Sequence, residues 1–158
     1  MVKVLFICLG NICRSPTAQG VFEAVLQREG LAGRVQVDSA GTQAWHVGKP
    51  PDARAQQAAL RRGVDLSGQR ARRVRPEDFL EYDYILAMDR SNYEDLRAEC
   101  HPDYEERIQL FLEFSSASGP EDVPDPYYGG AQGFEQVLDL IEAAAEGLLA
   151  DIRARHKL

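Results

Sequence analysis

Apolar positions along the chain change their period several times, and the changes mark out elements. Val2-Lys3-Val4-Leu5-Phe6-Ile7-Cys8 is a short apolar run that reads as a strand over 2–8. Over 16–29 the period becomes helical. Ala18, Val21, Phe22, Val25 and Leu26 share one stripe, and Gly30 stands just past the end. Ser15-Pro16 reads as a cap followed by a proline at the first helical position. Arg34-Val35-Gln36-Val37-Asp38 alternates like a second strand, closed by Ser39-Ala40-Gly41-Thr42. A loop with Trp45 and the Lys49-Pro50-Pro51 turn leads into an alanine-rich helix over 52–62, stopped by Gly63. Pro76-Glu77-Asp78-Phe79 suits one helical turn, and Tyr84-Ile85-Leu86-Ala87-Met88 a third strand. Ser91 is placed to cap a helix that runs to about Cys100, and Ile108-Gln109-Leu110-Phe111 makes a short fourth strand. Residues 115–133, rich in Ser, Gly, Pro and Asp, form the longest irregular stretch, and long loops in compact domains usually carry function. A long helix closes the chain on a stripe of Phe134, Val137, Leu138, Ile141, Ala145, Leu148, Leu149 and Ile152.

Alternating strands and helices predict an α/β fold: one domain over 1–158, a doubly wound sheet of four parallel strands with helices on both faces. Such sheets bind ligands beyond the carboxyl ends of their strands. Cys8, Asp38-Ser39 and Met88-Asp89 all fall there.

Composition narrows the field. A length of 158 residues with 44% apolar content supports one substantial core. A net charge of −7 leaves no basic face for nucleic acid. No apolar run approaches the roughly 20 residues that span a bilayer. Cys8 and Asn11 interrupt the N-terminal apolar stretch, which spoils a signal-peptide layout. Three cysteines fit a reducing compartment, so a cytoplasmic location is expected, with no membrane partner. Cys8 and Cys13 lack a second Cys or His pair, and Cys100-His101 are adjacent, so neither a metal nor another cofactor is expected.

The chemistry concentrates in Cys8-Leu9-Gly10-Asn11-Ile12-Cys13-Arg14-Ser15, between a strand and a helix. A loop so placed aims its N–H groups and the positive helix end at one focus, which is an oxyanion site. A cysteine at that focus is expected as a thiolate nucleophile. Arg14 adds a planar fork that takes two phosphate oxygens at once. Gly10 permits a turn closed to most residues, and Asn11 tolerates the left-handed conformation. Together these imply phosphoryl transfer to sulfur. A second cluster, Asp125-Pro126-Tyr127-Tyr128-Gly129, is turn chemistry when taken alone. Beside a cysteine nucleophile it supplies a proton donor for a departing alkoxide or phenoxide, and two rings to wall a slot for a flat ring.

On these motifs, with Ser39-Ala40-Gly41-Thr42 and Asp89-x-Ser91-Asn92, the chain resembles the low-molecular-weight protein tyrosine phosphatases from Val4 to the final helix. The resemblance implies hydrolysis of protein phosphotyrosine and small aryl phosphates through a phosphocysteine. It makes Cys8 the nucleophile, Arg14 the phosphate clamp and Asp125 general acid and then base. Ser15 donates to the Cys8 sulfur, and Asn11 holds the loop through Ser39. Leu9, Gly10, Ile12, Trp45, Tyr127 and Tyr128 shape the pocket. Cys13 either closes a reversible disulfide with Cys8, as in some relatives, or simply fills space. Many members carry a histidine near Gln69 that helps bond Asn11; here Gln69 either gives that support, without the ability to charge, or does not reach Asn11. Trp45 and the tyrosine pair equally suit a weak homodimer.

Three other readings stay open at this point. An arsenate reductase needs further cysteines beyond the third strand, where only Cys100 stands. Phosphoarginine phosphatases typically carry Thr where Ile12 stands, and Ile12 suits a phenyl ring better. A silent phosphoprotein-binding module requires neither a nucleophile nor a proton donor.

Overall fold

The computed structural model describes residues 1–115, 119–128 and 130–158. Four strands, β1 (Val2–Cys8), β2 (Val35–Gly41), β3 (Tyr84–Ala87) and β4 (Ile108–Leu110), form one parallel sheet in the order β2-β1-β3-β4. Among the described residues five α-helices pack around it: α1 (Arg14–Arg28), α2 (Ala53–Leu60), α3 (Pro76–Glu81), α4 (Arg90–Glu99) and α5 (Ala131–His156).

The alternation of side chains along β1 divides the core in two. Val2, Val4, Phe6 and Cys8 join α1, α2 and α5 on one face, where Phe6 meets Phe22 and Phe111 edge-on with centroids 6.0 and 5.0 Å apart. Leu5 and Ile7 join Phe79 of α3 and Leu96 of α4 on the other. Burial of β1 on both faces explains its nearly continuous apolar run. From β1 the chain moves to β2 on one side and later to β3 on the other. Cys8 therefore ends the strand at which the winding reverses, where doubly wound sheets bind ligands.

Several element ends differ from the sequence expectation. α1 begins at Arg14, two residues before Pro16, and Ser15 does not cap it. The Ser15 hydroxyl turns to Cys8 instead, while the Cys13 carbonyl accepts from the N–H and hydroxyl of Thr17 at 3.3 and 2.7 Å. α4 is capped by Asp89, whose Oδ1 accepts from Asn92 N–H at 2.7 Å; Ser91 lies inside the first turn. β2 extends through Ser39 to Gly41, because Gly41 pairs with Cys8. Phe111 leaves β4 and starts a 3₁₀ turn, Phe111–Phe114, that carries its ring into the core. The long loop contains a short 3₁₀ turn, Pro126–Tyr128, and α5 starts at Ala131, within the stretch expected to be irregular. No helix among the described residues is long and apolar enough to cross a membrane.

Candidate active site

The loop after β1 is held by backbone contacts before any side chain acts. Thr42 N–H donates to Cys8 O at 2.9 Å and Gln43 N–H to Leu9 O at 3.0 Å, while Asp52 N–H holds Ile12 O at 2.8 Å. Gly41 allows this approach: a Cβ there would lie 2.8 Å from Leu9 O and 3.1 Å from Gly10 C. Asn11 takes the left-handed conformation at φ 57°. Its buried amide donates to Ser15 Oγ at 2.8 Å and Ser39 Oγ at 3.0 Å, and its Oδ1 accepts from Arg72 N–H at 3.0 Å. Ser39 in turn donates to Gln19 Oε1 at 2.7 Å.

Ser15 Oγ lies 3.0 Å from Cys8 Sγ. Because Asn11 already donates to that hydroxyl, its single proton has two remaining acceptors, the sulfur and Ala40 O at 3.4 Å. The sulfur is nearer, and as a thiolate it is the stronger acceptor.

Arg14 is buried, and three acidic or carbonyl groups aim its fork. Nη1 donates to Asp89 Oδ2 at 2.5 Å and to Val123 O at 3.0 Å, and Nη2 stands 3.7 Å from Asp125 Oδ2. Burial opposes its charge, but Cys8, the Asp89 bond and the Asp125 charge outweigh it and push the guanidinium further toward the ionised form. Asp89 thus caps α4 with one oxygen and orients Arg14 with the other.

The acid loop is tied to the same region. Val123 is fully buried, and its N–H donates to Met88 O at 2.7 Å at the end of β3. Arg90 N–H holds Asp122 Oδ1 at 3.0 Å. Asp125 Oδ1 accepts from Tyr127 N–H at 3.0 Å, which leaves Oδ2 toward Arg14.

A cleft of about 260 Å³ collects Cys8, Leu9, Gly10, Ile12, Cys13, Arg14, Trp45, Asp125 and Tyr127. Trp45 is 65% exposed at its mouth. Asn11, Ser15 and Ser39 stand behind the loop as its frame. The Tyr128 side chain and Gly129 lie outside the described residues. Gln69 is a correction. Its Nε2 donates to Pro16 O at 3.0 Å in the first turns of α1, and Asn11 receives the Arg72 backbone instead. Cys13 is a buried thiol, and burial, then Asp52, Cys8 and Asp125, push its pKa well above the usual thiol range against a smaller opposing pull from Arg54.

Sequence reasoning missed four contributors. His46 lines the cleft and packs on Gly10, where a Cβ would lie 2.8 Å from its Cδ2. The Arg14–Asp89 pair spans 75 positions, so only the Asp89-x-Ser91-Asn92 motif hinted at it. Arg72 acts through its backbone, which leaves no side-chain signal, and is itself fixed by Asp38 at 3.1 Å and Asp78 at 2.9 Å. Arg54 donates to Tyr127 O at 3.0 Å. Among the described residues no group of three His, Cys, Asp or Glu is disposed to hold a metal ion.

A buried sulfur, a charged fork and a carboxyl lining one cleft are equipped for attack on an oxyanion and protonation of what leaves. Comparison with known proteins points the same way. The sequence model of the low molecular weight phosphotyrosine protein phosphatase family matches residues 3–158. The chain is 42% identical to the low molecular weight protein-tyrosine-phosphatase YfkJ of Bacillus subtilis over 158 residues, all of both chains. It is similar to the crystal structure of a protein tyrosine phosphatase from Entamoeba histolytica, with Hepes in its active site, at TM-score 0.95 and 40% identity over 100% of each chain. A Drosophila arginine phosphatase structure is similar at TM-score 0.88 and 33% identity, covering 97% of this chain and 98% of that one.

Proposed function

The chain belongs to the low molecular weight phosphotyrosine protein phosphatase family, and from that premise we propose that it hydrolyses phosphotyrosine in proteins, and small aryl phosphates, in two steps with Cys8, Arg14 and Asp125 as its reacting groups. The observation that carries this reading is the convergence on one cleft of Cys8 Sγ, 3.0 Å from Ser15 Oγ, and Asp125 Oδ2, 3.7 Å from Arg14 Nη2.

In the first step the Cys8 thiolate attacks phosphorus in line. A P–S bond forms as the P–O bond to the aryl group breaks, and the Asp125 proton passes to the departing oxygen. Tyr127 N–H holds Oδ1, which leaves Oδ2 as the oxygen through which the proton is passed. In the second step a water attacks phosphorus, Asp125 takes its proton, and the P–S bond breaks to restore the thiolate. Arg14 and the loop N–H groups gather the three equatorial oxygens, where charge spreads in the transition state. Asp89 and Val123 O hold Nη1, so Arg14 enters the reaction already oriented.

Trp45 and Tyr127 at the mouth suit a flat ring that carries the phosphate away from a peptide backbone. Apolar Ile12 in the lining favours phenyl over guanidinium, in line with phosphotyrosine rather than phosphoarginine. An arsenate reductase fits poorly: Cys100 packs with Leu5 and Leu96 on the sheet face opposite Cys8, and the chain has no further cysteine beyond β3. The same proposal treats 1–158 as one phosphatase domain, working in the cytoplasm without nucleic acid or membrane, with Trp45 also available to a weak homodimer.

Parallel assays of phosphotyrosine, phosphoserine, phosphoarginine and arsenate test the assignment. Phosphotyrosine turnover dominating the other three is expected. Phosphoarginine as the best substrate, or arsenate reduction with thiol, overturns it.

A further inference from the structure

We propose that Arg54 is the positioning residue for the general acid, coupling the acid loop to the phosphate loop; this rests on Asp125 having the role given above. Arg54 sits in the first turn of α2, and its side chain meets Asp52 ahead of the helix, Tyr127 of the acid loop and Phe134 of α5. Its Nε and Nη2 take Asp52 in a two-pronged pair at 3.1 and 3.0 Å. Nη2 also donates to Tyr127 O at 3.0 Å. The guanidinium carbon lies 5.4 Å from the Tyr127 ring centroid and 5.0 Å from that of Phe134, a buried residue of α5.

These contacts form an unbroken chain between the two halves of the site. Ile12 O, in the phosphate loop, accepts from Asp52 N–H at 2.8 Å. The Asp52 carboxylate holds Arg54, which holds Tyr127 by its carbonyl and its ring. Tyr127 N–H holds Asp125 Oδ1. Arg54 thereby fixes the residue that chooses which Asp125 oxygen faces the cleft. A point charge does not reproduce this: the planar fork is needed to hold a carboxylate and a carbonyl while it stacks on two rings.

The Arg54 side chain is 46% exposed, and without it Asp52 Oδ1 still accepts from the backbone N–H groups of residues 54 and 55 at 2.8 and 3.4 Å and still caps α2. Its removal therefore leaves the fold and the phosphate cradle and releases only the acid loop. The test is kcat/KM for aryl phosphates across a range of leaving groups, since that ratio reports the step in which the phenol departs. Arg54→Ala is expected to lose roughly tenfold on phenyl phosphate, whose leaving group needs a proton, and less than about twofold on a dinitrophenyl phosphate, which does not. Inhibition by inorganic phosphate is expected to be unchanged, and Arg54→Lys to be intermediate on phenyl phosphate. Arg54→Gln, which keeps a polar chain at that position, serves if the alanine variant melts early. Asp125→Asn should show the same selectivity more strongly, and adding Arg54→Ala to it should bring no further selective loss. A loss equal for all leaving groups, or a selective loss that survives in the Asp125→Asn background, overturns the role of Arg54 while leaving Asp125 as the acid. An Asp125→Asn variant without selectivity overturns both.

Discussion

Cys8 and Cys13 share one loop, yet only one is set up to react. Cys8 has the Ser15 hydroxyl at 3.0 Å and shares the cleft and the charge of Arg14, whereas Cys13 is buried near Asp52 with its thiol pushed well above the ordinary range. A raised thiol pKa means that Cys13 stays protonated as the pH climbs through the range where a free thiol ionises, and the thiolate is the nucleophile. Iodoacetamide at neutral pH should alkylate Cys8 first, and Cys13 only under much more alkaline conditions. Peptide mapping that finds the two labelled at similar rates contradicts this. Arg14 invites a sharper substitution. Arg14→Lys keeps the charge but not the fork, and Asp89 and Val123 O would then compete for one ammonium. A fall in kcat of at least about a hundredfold is expected, given what removal of a single transition-state donor costs in other sites. At this scale the loop's position and residue types were legible, because its residues are contiguous between a strand and a helix. Asp89, Arg72 and Arg54 were not, since they act across long sequence separations or through backbone atoms that a sequence does not display.

Elements bring the two loops together through close approaches that glycine permits. Gly41 lets β2 lie against the phosphate loop, and Gly147 lets α5 lie on the turn after β4, where a Cβ would sit 1.7 Å from Phe114 O. Both clashes are with backbone, so the chain itself must move. Gly147→Ala is expected to destabilise by about 1–3 kcal/mol, as overpacking usually does, with kcat nearly unchanged because the site lies elsewhere. Gly41→Ala is expected to cost activity out of proportion to stability, since the displaced atoms belong to Leu9 and Gly10. Thermal melts paired with steady-state kinetics separate the two; equal activity losses contradict this division. The same packing explains which element boundaries misled. Ser15 and Ser91 look like helix caps by type, but Ser15 is drawn into the nucleophile's hydrogen bonds and Asp89 takes the cap ahead of Ser91. Gln69 stands near the expected place along the chain, yet its amide meets Pro16 O and not Asn11. The strands and the amphipathic helices, by contrast, were legible along the chain because each face of β1 buries a continuous set of apolar residues.

The whole molecule, with a net charge of −7, does not draw an anionic substrate by its overall field; attraction comes from the local positive focus of one loop and one arginine. Selectivity then depends on reach. Cys8 is 3% exposed while Trp45 and Tyr127 of the same cleft are exposed, and on the proposed reading a phenyl ring gives the phosphate more reach than a serine methylene. Phosphotyrosine peptides should exceed phosphoserine peptides in kcat/KM by at least about a hundredfold, roughly 2.7 kcal/mol of transition-state binding. Matched peptides that differ only in the phosphorylated residue measure it, and comparable turnover leaves a general cysteine phosphatase. Beneath all of this stands covalent transfer to one sulfur. The Asp125→Asn variant offers direct access to it: with a dinitrophenyl phosphate the first step needs no acid, and without a base the second is slow. Rapid quenching of that reaction, followed by the intact mass and peptide mapping, should find the chain heavier by one phosphoryl group, carried on Cys8 and absent from Cys8→Ser. Turnover with no phosphorylated chain, or a phosphoryl group on any other residue, contradicts the account.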